Sequence, residues 1–233
     1  MTSTAYRQRS RRSDAVDRAD SENRLLGRAN VRRLDAEMVR DAILTVTGSL
    51  NDQMYGPPLP VAADSVGQVV IGTKVASRDG RVSPPKGSEG NRRSVYVQVR
   101  RSLPLAMLEA FDAPTMSPNC ELRNSSTVAP QSLLLMNNHF IIEQSERFAE
   151  RVIREAGDDS SKRIARAWRL VFGVEPTATD TARATEFLAV QERRFAAAPR
   201  TDAKARFAAD PDGQALASFC QMLISTNAFL YID

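Results

Sequence analysis

Apolar residues along this chain fall into helical periods over its second half and at one place in its first. Residues 34–50, LDAEMVRDAILTVTGSL, put Met38, Ala42, Ile43, Val46 and Leu50 on one face, with Asp35 as N-cap and Glu37 in the positive first turn. A helix is predicted there. Residues 51–90 then carry six of the eleven glycines and five of the twelve prolines, which deny a long helix its hydrogen bonds and mark a loop region. Two strands are expected near it: Gly67–Gly72, and 94–99, where Val95, Val97 and Val99 alternate with Ser94, Tyr96 and Gln98. The two are expected to pair as a small sheet, leaving Arg92, Arg93, Arg100 and Arg101 as solvated flanks. Pro104 opens a short helix, LAMLEAF, that ends before Asp112-Ala-Pro114.

The last hundred residues read as helices. Ile141, Phe148, Ala149, Val152 and Ile153 share one face of the first, and Ile164, Ala167, Trp168, Val171 and Phe172 share one face of the second. Gly173 ends the second, and Thr177 with Asp180 forms a capping pair for a third that carries Phe187, Leu188, Gln191 and Phe195. Asp210-Pro211 starts a fourth with Leu216, Phe219, Cys220, Leu223 and Ile224 inward, and the stretch before it, AAAPRTDAKARFAAD, reads as a mobile linker. Four such helices bury one shared core. The predicted fold class is mainly α: a C-terminal helical bundle over 104–233, a small two-stranded β element, and a long Gly/Pro-rich loop insertion at 51–90. Residues 34–233 make the main body, and 1–33 a separate basic arm.

At 233 residues the chain is long enough for one domain or two small ones. Its net charge of +4 is local, because residues 1–33 hold nine arginines against four acids. Only Tyr6 among the aromatics accompanies them, which argues against nucleic acid as a partner. No run is apolar over the roughly 18–20 residues a membrane span needs, and the arginine-rich start shows no signal peptide. One histidine, His139, and two cysteines, Cys120 and Cys220, are too few for the usual zinc or haem ligand sets, so no cofactor is expected in this chain. Cys220 falls on a core stripe, and free thiols are expected.

No nucleophile elbow, phosphate loop, dinucleotide fingerprint or His-Glu-x-x-His is present. The one segment with concentrated hydrogen-bonding chemistry is Ser117–Gln131, SPNCELRNSSTVAPQ, which leads into a helix opened by Pro130. A helix start carries unpaired N–H groups and partial positive charge, so this loop is a candidate binding surface for a carboxylate, phosphate or sugar hydroxyl. The candidate contact residues are Arg123 as donor, Asn124 and Gln131 as orienting amides, Thr127 beside the helix start, and Asn137 one helical segment further on. The competing reading is that these groups cap the helix and satisfy buried backbone.

Several ordered blocks give the chain a wider resemblance: TSTAYRQRS at 2–10, ENRLLGRANVRRLDAEMVRDAILTVTGSL at 22–50, RRSVYVQVRRSLP at 92–104, LEAFDAP at 108–114, NSSTVAPQSLLLMNN at 124–138, and AWRLVFGVEPT at 167–177 through LISTNAFLYID at 223–233. With these it resembles the domain-of-unknown-function 1553 family, the C-terminal domain of large exported proteins of planctomycete bacteria. The resemblance implies a second domain upstream, often behind a c-type cytochrome module and a signal peptide. It also implies a periplasmic or extracytoplasmic location for full-length members, and haem held in that separate module. On this view Thr2–Ser10 is the end of a helix whose partner lies upstream, the arm 1–33 is the remnant of a truncated helical region, and the chain is a fragment. Two positions depart from the family pattern: Asn227-Ala228-Phe229 stands where Asn-Glu-Phe is usual, and His139 where proline is common.

Three functional readings follow. The first is a non-catalytic binding or scaffolding domain that docks upstream domains of the same architecture and a polymer or glycan ligand. The second is one wall of an extracytoplasmic redox or hydrolytic enzyme coupled to an upstream cytochrome. The third is a degenerate or mis-started gene fragment.

Overall fold

The computed structural model describes residues 3–4, 7–75, 81–114, 123, 125–198 and 206–232. A short helix α1, Asp14–Ala19, capped by the Ser13 hydroxyl, precedes the two-residue strand β1, Arg32–Arg33. Helix α2, Ala36–Thr47, ends at Gly48, whose left-handed φ of 71° lets the chain turn back so that Ser49 N donates to Leu44 O. Its buried face is Val39, Ile43 and Val46, whereas Met38, expected inside, is 44% exposed. Asp35 holds the N-cap position without a side-chain capping bond.

The bundle follows the expected spacing. Helices α3 (Ala106–Ala110), α4 (Ala129–Asn137), α5 (His139–Ala156), α6 (Ser160–Phe172), α7 (Ala178–Ala197), α8 (Pro211–Ile224) and α9 (Asn227–Leu230) lead to the closing strand β6, Tyr231–Ile232. Strand β6 pairs antiparallel with β1, matching Arg33 to Tyr231, so the chain's last residues are tied to its first third. Helix α8 packs on α5 and α7, and its stripe of Leu216, Phe219, Cys220, Leu223 and Ile224 is wholly buried against Ile141, Phe148 and Val152 of α5. Cys220 is a free thiol, and burial pushes its pKa upward. The Thr177–Asp180 capping box closes as predicted, with the hydroxyl and backbone N–H of Thr177 donating to Asp180 and Asp180 N donating back. Residues 199–205 of the expected linker lie outside the described residues; after them Arg206 meets Glu150 and Phe207 packs on the core. Among the described residues no helix is long and apolar enough to cross a membrane.

The first half departs from expectation. Strand β3 (Val69–Ile71) pairs with β2 (Val61–Ala63), and β4 (Thr73–Lys74) with β5 (Val82–Ser83). The alternating segment 94–99 forms no strand with β3. Ser94 donates both its backbone N–H and its hydroxyl to Asp41 Oδ1, each at 2.7 Å, and this curls Ser94–Tyr96 into a 3-10 turn. What pairing remains is a single parallel bridge between Leu59 and Val97. Val97 joins a small second core with Leu59, Val61 and Leu105, while Val95 and Val99 stay 71% and 70% exposed.

Arg92, expected to be solvated, is 1% exposed. A loop so poor in regular pairing leaves carbonyls without backbone donors. Arg92 supplies side-chain donors to Gln53, Tyr55 and Pro57 and stacks 4.0 Å over the Tyr96 ring. Arg40, also 1% exposed, reaches from α2 to Gly90 O at 2.7 Å, Arg92 O at 2.9 Å and Ser94 Oγ at 3.2 Å. Burial lowers its pKa to about 10, with Asp41 opposing, so it stays protonated at neutral pH.

Arg40→Ala is expected to cost about 3 kcal/mol, because it strands buried acceptors on two carbonyls and a hydroxyl. Arg93→Ala, at an exposed neighbour, is expected to change stability by no more than about 0.5 kcal/mol. Urea unfolding of the two variants checks both values.

Candidate functional site

The first turns of α2, the segment 93–105 and the end of α3 enclose an open groove of about 710 Å³. Its apolar lining comes from Met38, Val95, Val97, Val99, Leu105 and Leu108. Charged groups stand along its rim: Asp35, Glu37, Asp41 and Glu109 against Arg93, Arg100, Arg101 and Arg123. Each wall has a local cause. The two exposed valines face the groove because the 3-10 turn at Ser94 breaks the alternation that a paired strand would have buried. The carboxylates of Asp35 and Glu37 stand at the α2 N-terminus, where the helix dipole favours negative charge.

Arg123 grips Glu37 through two parallel bonds, Nη1 to Oε2 at 2.8 Å and Nη2 to Oε1 at 3.0 Å, with Asp35 at 3.7 Å. The Arg123 hydrogen bond holds the Glu37 pKa below its ordinary value, partly opposed by burial. A guanidinium in such a fork keeps its remaining N–H groups at a fixed angle.

Of the five residues proposed from sequence, Arg123 lines this groove and Asn124 lies outside the described residues. Thr127 and Gln131 belong to a neighbouring polar cluster. Gln131 is buried; its Nε2 donates to Ser126 O at 3.1 Å and its Oε1 accepts from Val128 N, so its amide caps the start of α4. The Thr127 hydroxyl lies 2.6 Å from Tyr231 OH, which fixes the loop to β6. Asn137 is exposed at the far end of α4, roughly 9 Å along the helix from Gln131 at 1.5 Å per residue.

The centre of that cluster is a pair the sequence reading missed, Arg33 and Asp112. Arg33 is buried, donates to Phe111 O at 2.9 Å and to Ser126 O, and forms an ion pair with Asp112 Oδ2 at 2.8 Å. Asp112, at a left-handed φ of 60°, also accepts the backbone N–H of Ser126 at 2.8 Å and its hydroxyl at 2.9 Å. Here the hydroxyls and amides of the polar loop are spent on the protein itself. Desolvation raises the Asp112 pKa, but the Ser126 and Arg33 bonds outweigh it and hold the carboxyl below the ordinary aspartate value.

A second depression of about 500 Å³, between the end of α2 and α5, is lined by polar groups such as Asn51, Asp52, Ser88 and Arg147 and gives a ligand little apolar surface to cover. Among the described residues no three His, Cys, Asp or Glu side chains gather where a metal ion would be held.

The sequence model of a family described as PSD1, protein of unknown function (DUF1553), matches residues 1–188. The chain belongs to the DUF1553 family. No curated protein and no solved structure matches it. The DUF1553 match covers every wall of the groove and the Arg33–Asp112 cluster, and it stops inside α7. The folded unit runs further, because α8 fills the middle of the core that α2 and α5 build. The block at 223–233 that contributed to the resemblance thus lies beyond the matched residues.

A carboxyl whose pKa is lower in the folded protein contributes stability above its unfolded pKa and loses it as the pH falls through the folded value. Asp112→Asn is therefore expected to be less stable than the parent at pH 7. The gap is expected to narrow below about pH 4, where the aspartate of the unfolded chain takes up protons, and to close as the pH falls through the lower folded value. Thermal melts of both proteins at pH 7 and pH 2.5 read the difference.

Proposed function

We propose that this DUF1553 chain is a non-catalytic recognition domain, a binding or scaffolding part of a larger exported protein, and that the groove beside α2 holds an elongated polymer ligand. The observation that carries this is the convergence of exposed apolar side chains on a charged cleft. Met38, Val95 and Val99 are 44%, 71% and 70% exposed in one lining, next to an arginine locked in position by Glu37. Exposed apolar surface gathered in a concave, polar-rimmed site is the usual physical mark of binding.

The state of the α2 carboxylates Glu37 and Asp41 supports recognition over acid-base work. A general acid or base works best with a pKa near the operating pH. Glu37 is shifted away from that range by Arg123, and Asp41 is engaged by Ser94, Arg40 and Arg93. In this reading upstream domains of the same architecture are partners, haem belongs to a separate upstream module, and the whole protein works outside the cytoplasm.

The test is a panel of oligosaccharides and short peptides screened by ligand-observed NMR against the purified chain. At least one member is expected to bind without being turned over. Its affinity is expected to fall about tenfold or more in Val95→Asp, since a desolvated charge at an apolar contact costs more than about 1.4 kcal/mol. If no member binds, if the Val95→Asp protein binds equally well, or if any member is turned over in a manner lost on Arg123→Ala, the proposal fails.

A further inference from the structure

We infer that the ligand of this groove is an extended acidic polypeptide segment, added as a strand along residues 97–99 with its carboxylates on Arg100 and Arg101. The inference rests on the recognition reading above and names its ligand class. Two independent observations carry it, one in the backbone and one in the charges.

At Val97 the chain is extended, with φ −70° and ψ 128°. One edge of this stretch is occupied: Leu59 N donates to Tyr96 O at 2.7 Å, and Gln98 N donates to Leu59 O at 2.9 Å. Alternation sends Val97 O to the opposite edge, and the N–H and C=O of Val99 with it where the chain continues extended. There they have no hydrogen-bond partner among the described residues. A free edge of this kind is what a peptide pairs with in strand addition, where backbone bonds supply affinity and side-chain pockets supply selectivity. The exposed Val95, Val99 and Met38 offer such contacts for apolar side chains on the incoming strand.

The charges narrow the class. Asp35 and Glu37 face Arg123, and Asp41 is shared by Ser94, Arg40 and Arg93. Arg100 and Arg101 are exposed and, among the described residues, make no ion pair or hydrogen bond through their side chains, leaving Glu109 as the one rim acid in the same condition. Over the whole rim four acids balance four arginines, but beside residues 97–99 the charge outside any ion pair is Arg100 and Arg101 against Glu109, a local excess of one positive charge whose complement is an acidic segment. A polyanionic glycan would meet the arginines but lacks the alternating amide N–H and C=O groups that answer the backbone edge.

The probe is a fluorescently labelled hexapeptide of alternating valine and glutamate, titrated by anisotropy at low salt against the purified chain. Binding is expected, weakened about fivefold in the double variant Arg100→Ala/Arg101→Ala, since each exposed ion pair contributes on the order of 0.5 kcal/mol. Methylating the amide nitrogens of the central valines is expected to weaken it at least as much, while a circular dichroism melt shows the double variant folded. Equal binding of the lysine-for-glutamate peptide, or of the N-methylated peptide, overturns the inference. So does binding of an oligogalacturonate in place of the peptide. If the peptide fails while a panel oligosaccharide still binds in a Val95-dependent manner, this inference falls alone. If nothing binds in a Val95-dependent manner, the recognition reading falls with it.

Discussion

Buried arginines donating to backbone carbonyls hold this fold where secondary structure does not. Among its described residues, a segment with so many glycines and prolines forms only strands of two or three residues, so most of the carbonyls there find no ladder partner. A guanidinium carries five donors on a long stem, enough to satisfy several carbonyls from one anchor point. Arg92 collects three from residues 53–57, Arg40 ties α2 to residues 90–94, and Arg33 joins β1 to the end of α3 and the start of α4. The same device recurs in the bundle. Arg151 donates to Thr45 O and Val46 O at the carboxyl end of α2, and Arg163 donates to Gly157 O while pairing with Asp158 and Asp212. Each charge avoids the full cost of burial because it is compensated by carbonyl dipoles, a carboxylate or an aromatic face.

This explains which parts of the molecule were legible in the sequence. The helices were legible because a stripe of apolar residues at 3.6 spacing has one good solution, and Gly173, Thr177 with Asp180, and Pro211 punctuated them as their chemistry requires. Segment 94–99 was misread because the valine alternation was real but its context was not local. Asp41, more than fifty residues away, takes both donors of Ser94 and bends the backbone out of strand geometry. Arg92 was misread because a charged residue beside a strand is usually solvated. The signal against that default was available: forty residues of loop with few pairing partners need donors from somewhere. Arg33 gave no such signal, since neither its arm nor the loop it serves has a periodicity that links them.

Of the site, the sequence revealed Arg123 and the general importance of the polar loop. It did not reveal that the loop's other groups look inward. Gln131 and Ser126 spend their hydrogen bonds on the start of α4 and on Asp112, which leaves the apolar side of the groove to residues assigned elsewhere to a sheet. The groove and the arginine framework are consequently one construction. The bond from Asp41 to Ser94 exposes Val95, while Arg40 fixes the loop on which it stands.

That coupling bears on how the groove acts. Helix α2 presents Val39 and Ile43 to the main core, Arg40 and Asp41 to the loop, and Met38 to the groove, so its position is set on three sides before any ligand arrives. A wall fixed in this way loses little conformational freedom on binding, and the ordering cost falls mainly on the ligand. Arg123 is held in the same sense by its two bonds to Glu37. For the groove to close on a ligand, the Ser94 turn would have to give up its bonds to Asp41, and a partly buried carboxylate left with only Arg40 at 3.6 Å and Arg93 at 3.8 Å is a costly intermediate. The arrangement therefore favours docking onto a preformed surface over closure around the ligand.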